Sequence, residues 1–181
     1  MTSLRSTLTL VDAAVLAPVY RASDGAVHLI FVRKSPGGRH GGQIAFPGGK
    51  REPGDPDLLG TALREAHEEV GLERGDVTIL AALPIVDTMT TGFHVAPFLG
   101  RLASPPPAWK RQESEIAEVL DVPVDALTDP DAQGQEIWHF PAWAEPRMVP
   151  FYRLGPYKLW GMTYRIVEPL LPRLLAGEWD I

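Results

Sequence analysis

The stretch from Asp55 to Gly71 restricts the fold of this chain most, because it reads as one amphipathic helix with both ends marked. Asp55 is the candidate N-cap, Pro56 takes the first helical position and Gly71 stands just past the end. Leu59, Ala62, Leu63, Ala66 and Val70 recur at spacings of three and four and line one face. Such a stripe needs a surface to pack on, and strands supply it. Residues 13–19 and 27–32 flank Ser23-Asp24-Gly25 as a hairpin. Ile44-Ala45-Phe46 reads as a short strand entering a turn at Pro47-Gly48-Gly49, and further strands are expected at 77–83, 93–99, 118–122 and 137–140. A last apolar pattern over 162–175 reads as a helix that Pro169 and Pro172 should kink or interrupt. Strands around two helices give an α+β class.

With 181 residues the chain suits a single domain over 1–181. It shows no signal-peptide pattern and no apolar run long enough for a membrane span, so a soluble, cytoplasmic protein without a membrane partner is expected. No cysteine is present, which excludes disulfides and thiolate metal sites and leaves oxygen or imidazole ligands. A net charge of −6 argues against a nucleic-acid-binding face and leaves open a small anionic substrate bridged by cations. Proline collects at 105–107 and from Pro141 to Pro156, segments that read as stiff surface connections. Nothing in the sequence specifies the oligomeric state.

The opposite flank of the helix carries Glu65, Glu68 and Glu69 at i, i+3 and i+4, so their oxygens can converge as Mg²⁺ or Mn²⁺ requires. Taken alone they read more simply as a solvated acidic face with Arg64 pairing Glu68. Their context is more specific. Gly48-Gly49 followed by Arg64-Glu65-Ala66-His67-Glu68-Glu69-Val70-Gly71-Leu72 closely resembles the Nudix box, G-x5-E-x7-R-E-U-x-E-E-x-G-U with U apolar. The spacing from Gly49 to Arg64 is one residue longer than that pattern, so Asp55 occupies the first Glu position counted forward and Pro56 counted backward. The resemblance implies an α/β/α Nudix sandwich with a mixed sheet. It also implies metal coordination by Glu65, Glu68, Glu69 and the Gly48 carbonyl, with Arg64 orienting the glutamates; on the helix pattern Glu69 is expected to be an exposed helix-face carboxylate. The chemistry implied is attack of a metal-polarised water on a phosphorus.

Upstream, Leu29-Ile30-Phe31-Val32-Arg33-Lys34-Ser35 and His40-Gly41-Gly42-Gln43-Ile44-Ala45-Phe46-Pro47-Gly48-Gly49 resemble the extra signature of the coenzyme A diphosphatase branch. Phe31 replaces a usual Thr, and Gly37-Gly38 stand where that branch tends to carry Leu-Arg. The longer spacing after Gly49 and Leu159-Trp160-Gly161-Met162-Thr163 also look like this branch. The resemblance makes Arg33, Ser35, His40 and Phe46 candidate substrate contacts, although Phe46 also suits core packing. Glu115, in the acidic stretch 113–119, is the candidate general base, with Glu118 as competitor. Cleavage of coenzyme A to phosphopantetheine and adenosine 3′,5′-bisphosphate is the implied reaction. The alternatives are an ADP-ribose or nucleotide-sugar diphosphatase and a ligand-binding domain without catalysis, which would not need all three glutamates.

Overall fold

The computed structural model, which describes residues 10–37, 40–88, 92–140 and 143–181, is organised around strand β1, Val11–Arg21. Every residue from Ala13 to Tyr20 is buried, as expected of a strand covered on both faces. Alternation divides them: Ala13, Val15, Ala17 and Val19 point into one core, and Ala14, Leu16 and Tyr20 into a second. One edge of β1 runs parallel to β7, Phe93–Leu102, from Val11 opposite Phe93 to Val19 opposite Arg101.

The other edge of β1 is shared. Its C-terminal end pairs antiparallel with β2, Val27–Lys34, and its N-terminal end with β4, Gly48–Lys50. Pro18 falls in the gap between the two ladders, on the side where Leu16 N donates to Pro47 O at 2.9 Å, so its missing N–H breaks no ladder bond. Where β1 leaves β2, the short β3, Ile44–Ala45, takes its place, and β8, Ile116–Pro123, covers the far edge of β2. Strands β5, Val77–Ala82, and β6, Val86–Thr88, both pair with β7. The result is a mixed eight-stranded sheet.

Helix α1, Leu58–Val70, lays Ala62, Leu63, Ala66 and Val70 on the even face of β1 and β2. Helix α3, Gly161–Leu175, packs Ile166, Val167, Leu170, Leu171 and Leu174 on the odd face, beside Val124 and Leu127 of α2, Val124–Thr128. Helices on both faces of a mixed sheet are the architecture implied by the box. Among the described residues no helix is long and apolar enough to cross a membrane.

Three local expectations need correction. The N-cap of α1 is Asp57, whose carboxylate accepts from Gly60 N at 2.7 Å, while Asp55 is buried; Gly71 closes the helix with φ 71° as anticipated. Pro169 and Pro172 do not interrupt α3. The carbonyls they deprive of a donor belong to Arg165 and Glu168, both exposed, where water can satisfy them.

The proline-rich segment 141–156 is not merely a connection, although residues 141 and 142 lie outside the described ones. It contains β10, Arg147–Leu154, the middle of an antiparallel sheet with β9, Gln133–Trp138, and β11, Tyr157–Trp160. Pro150 is tolerated because β11 pairs only from Phe151 onward, leaving an edge at that point. Tyr152 and Leu159 of this sheet bury against the α3 core.

Candidate metal and diphosphate site

The site forms where β4 meets the flank of α1. Gly48 and Gly49 form a short strand on β1 and not the expected sharp turn, and neither has positive φ. What they supply is space. A methyl on Gly48 would come 2.6 Å from Val15 Cγ1, and one on Gly49 would come 2.5 Å from Glu65 Cδ. Glycine at 49 therefore lets the Glu65 carboxylate lie directly against the main chain.

This covering strand also corrects the exposure of the glutamates. Only Glu68 is open, with 49% of its side chain exposed, whereas Glu65 is half-buried and the Glu69 side chain is 1% exposed. Glu69 accepts from Gly48 N at 3.2 Å and forms an ion pair with Lys34. Burial pushes the Glu65 and Glu69 carboxyls up from their ordinary values, with Arg64 and Lys34 respectively opposing the rise. The two carboxylates repel each other at Glu65, and Glu115 adds like charge at Glu69.

Arg64 is the hub of the flank. Its Nη1 donates to Glu65 Oε1 at 3.1 Å and Glu68 Oε2 at 3.2 Å, and its Nη2 to Lys50 O at 3.0 Å. Asp55 fixes it from behind, accepting from Nε at 2.8 Å and Nη2 at 3.0 Å while also taking Thr61 Oγ1 and Glu52 N at 2.9 Å. These hydrogen bonds, from Arg64 above all, hold the Asp55 carboxyl well below the usual carboxylate range. The longer spacing after Gly49 thus leaves Asp55 as the anchor of the box arginine.

The donor set suits a hard divalent cation: three carboxylates and peptide oxygens, with no sulfur or imidazole among them. The glycine cradle, which a Cβ would fill, brings the main chain to the carboxylates. Among the described residues, however, no three acidic or imidazole groups are already arranged to close on an ion. Arg64 and Lys34 hold the inner carboxylates, so a cation would have to compete with them for these oxygens.

The remaining candidates fall into different places. Phe46 is 1% exposed and stacks on Phe31 with ring centroids 4.7 Å apart, so it is core and not a substrate contact. Ser35 is tied to the acidic loop, its hydroxyl donating to Glu113 O at 3.0 Å and its N–H to Glu115 O at 2.7 Å. His40 is half-buried, with Nδ1 3.2 Å from Gln43 Oε1. Arg33 donates through Nε to Glu118 Oε2 at 3.1 Å and lies over the Tyr157 ring. Glu118 also accepts from Tyr157 OH at 2.7 Å, and these bonds hold its carboxyl below its ordinary value. Glu115 is exposed on the loop pinned to the end of α1 by Lys110 N to Val70 O and Gln112 N to Glu69 O. Gly38, half of the pair replacing Leu-Arg, lies outside the described residues.

Comparison with known proteins settles the family. The sequence model for the NUDIX domain matches residues 11–144. This chain is a Nudix hydrolase. A protein of Cronobacter sakazakii described as "Uncharacterized Nudix hydrolase NudL" is 35% identical over 182 residues, covering 96% of this chain and 87% of its own length. The Nudix hydrolase RenU of M. Smegmatis superposes with a TM-score of 0.63 at 17% identity, over 94% of this chain and 88% of that one. A C. elegans Ap4A hydrolase does so with 0.54 at 22% identity, over 67% and 87%. At these identities the two structures speak for the Nudix fold alone.

Two residues of this Nudix site are given no role by the motifs, Lys34 within the upstream signature and Tyr157 outside it. Lys34 was accessible to strand alternation, since Ile30 and Val32 face α1 and position 34 follows them. Tyr157 lies on a strand that proline masked.

Proposed function

We propose that this Nudix hydrolase cleaves the diphosphate bond of coenzyme A or a derivative, giving phosphopantetheine and adenosine 3′,5′-bisphosphate. The observation that carries the reading is that the upstream signature is contiguous with the box in space: β2 ends at Arg33 and Lys34, beside β3, which leads into the Gly48 strand under α1. General Nudix chemistry needs only the box, so a second matched segment beside it suits recognition. Arg33, aligned by Glu118 and Tyr157, is the candidate grip on the 3′-phosphate, which ADP-ribose lacks. Ser35 is bound to the acidic loop and serves to place it.

Glu65, Glu68, Glu69 and the Gly48 carbonyl are the groups that would hold Mg²⁺ or Mn²⁺. When bound, the ion lends positive charge to the phosphate oxygens and to the attacking water. Arg64, fixed by Asp55, keeps Glu65 and Glu68 on one flank of α1. Glu115 would take the proton from water. Glu118 is a poor base, because Arg33 and Tyr157 favour its ionised form and already use its carboxylate.

The test is kcat/KM for coenzyme A, dephospho-coenzyme A and ADP-ribose at matched metal and pH. Coenzyme A should be the best of the three, and Arg33→Ala should narrow its lead. If ADP-ribose is cleaved as well or better, the coenzyme A reading falls and the ADP-ribose diphosphatase reading replaces it.

A further inference from the structure

Lys34 belongs to none of the chemistry assigned above, yet its ammonium meets the most deeply buried glutamate of the site. Its main chain is fixed, N donating to Gln43 O at 3.0 Å and O accepting from Gly42 N at 2.9 Å. Only the side chain can move, and it is 21% exposed, so it has a way out. The Glu69 carboxylate is already engaged on both oxygens, Oε1 by Lys34 and Oε2 by Gly48 N. A divalent ion that ligates Glu69 through Oε1 must therefore share or take the oxygen that Lys34 holds, and one on Oε2 still shares a carboxylate with the ammonium. An ammonium and a dication on one carboxylate oxygen repel strongly in a poorly solvated place.

We infer that Lys34 is the resident counter-cation of the site: it holds Glu69 until a divalent ion takes that oxygen, and the released ammonium then binds a phosphate oxygen of the substrate. The inference rests on the metal-dependent diphosphatase reading above. Lysine suits both positions, being a compact charge with three donors on a flexible four-carbon stem. Arg64 cannot make the same exchange, because Asp55 grips its guanidinium from behind. Exchange also explains why the carboxylates are near one another without forming a closed cage. An incoming diphosphate brings the negative charge that makes a second cation beside the metal favourable.

The experiment uses the full chain, as wild type and as Lys34→Met, Lys34→Gln and Lys34→Arg, the two neutral variants guarding against misfolding of either. Mn²⁺ binding is titrated without substrate by the paramagnetic signal of the free ion, with thermal midpoints taken with and without Mn²⁺. Affinity for the non-hydrolysable α,β-methylene-ADP is then measured at saturating Mn²⁺. The neutral variants should bind Mn²⁺ about tenfold more tightly, within the usual range for two coupled ligands, and show the larger rise in midpoint on adding it. They should bind the nucleotide about tenfold more weakly, while Lys34→Arg stays nearer to wild type. Unchanged or weaker Mn²⁺ affinity in the neutral variants, or unchanged nucleotide affinity, overturns the inference while leaving the diphosphatase reading standing. A wild type that binds no Mn²⁺ overturns both.

Discussion

Replacing Asp55 by Asn tests whether the unusual spacing of the box has been absorbed by a buried ion pair. In the wild type Oδ1 accepts from Arg64 Nε, and Oδ2 accepts from Arg64 Nη2, Thr61 Oγ1 and Glu52 N. Asn keeps the shape, but its amide nitrogen must face at least one of these donors, and the charge is lost. Breaking a fully buried pair costs about 3–5 kcal/mol. Here the Arg64 side chain is 22% exposed and retains Glu65, Glu68 and Lys50 as partners, so about 2–4 kcal/mol is expected. For 181 residues this lowers the thermal midpoint by about 4–16 °C. The pH dependence follows from the depressed Asp55 pKa. Its stabilisation is complete above the unfolded value of about 3.9 and is lost as pH falls toward the folded value. The gap in midpoint between wild type and Asp55→Asn should therefore hold steady from about pH 8 to 5 and narrow below about pH 4. Scanning calorimetry across that range decides. No loss of midpoint at pH 7, or a gap undiminished at pH 3, refutes the anchoring role.

Two further outcomes follow from the geometry. Gly49→Ala should leave the fold largely intact and lower kcat at least about a hundredfold, because the new methyl overlaps the Glu65 carboxylate and not a backbone atom; near-normal turnover with an unchanged circular dichroism spectrum would contradict the cradle. Glu115→Gln should lower kcat with little change in KM, whereas Glu118→Gln should act mainly on KM by releasing Arg33; the reverse pattern in steady-state kinetics would exchange their roles.

Much of α1 could be read in advance because periodicity and Gly71 marked it independently, and the box residues fixed which flank mattered. The N-cap was misplaced by two because Asp55 and Asp57 are chemically equal at the level of sequence, and only packing decides which one is buried against Arg64. A helical wheel groups Glu65, Glu68 and Glu69 on one flank but carries no information on what covers it. The burial of Glu69 depends on β4 and Lys34, both distant along the chain. Strand β10 was hidden by Pro150, whose tolerance depends on where a neighbouring strand begins to pair. Phe46 met a signature and a core pattern at once, and its stacking on Phe31 resolved that ambiguity toward packing.

The parallel ladder between β1 and β7 also bears on how the protein is made. Emerging from a ribosome, the eight-residue apolar run of β1 has only hairpin and edge partners until Leu102 appears. Partners across this ladder lie roughly 80 residues apart in sequence, a wait of about 4–16 s at ordinary elongation rates. Pairings of such long range are slow to nucleate, and their unpaired strands are open to aggregation meanwhile. The segment made during that wait includes Gly48, Gly49 and the whole of α1. The chemical centre is thus synthesised before the sheet that supports it can close.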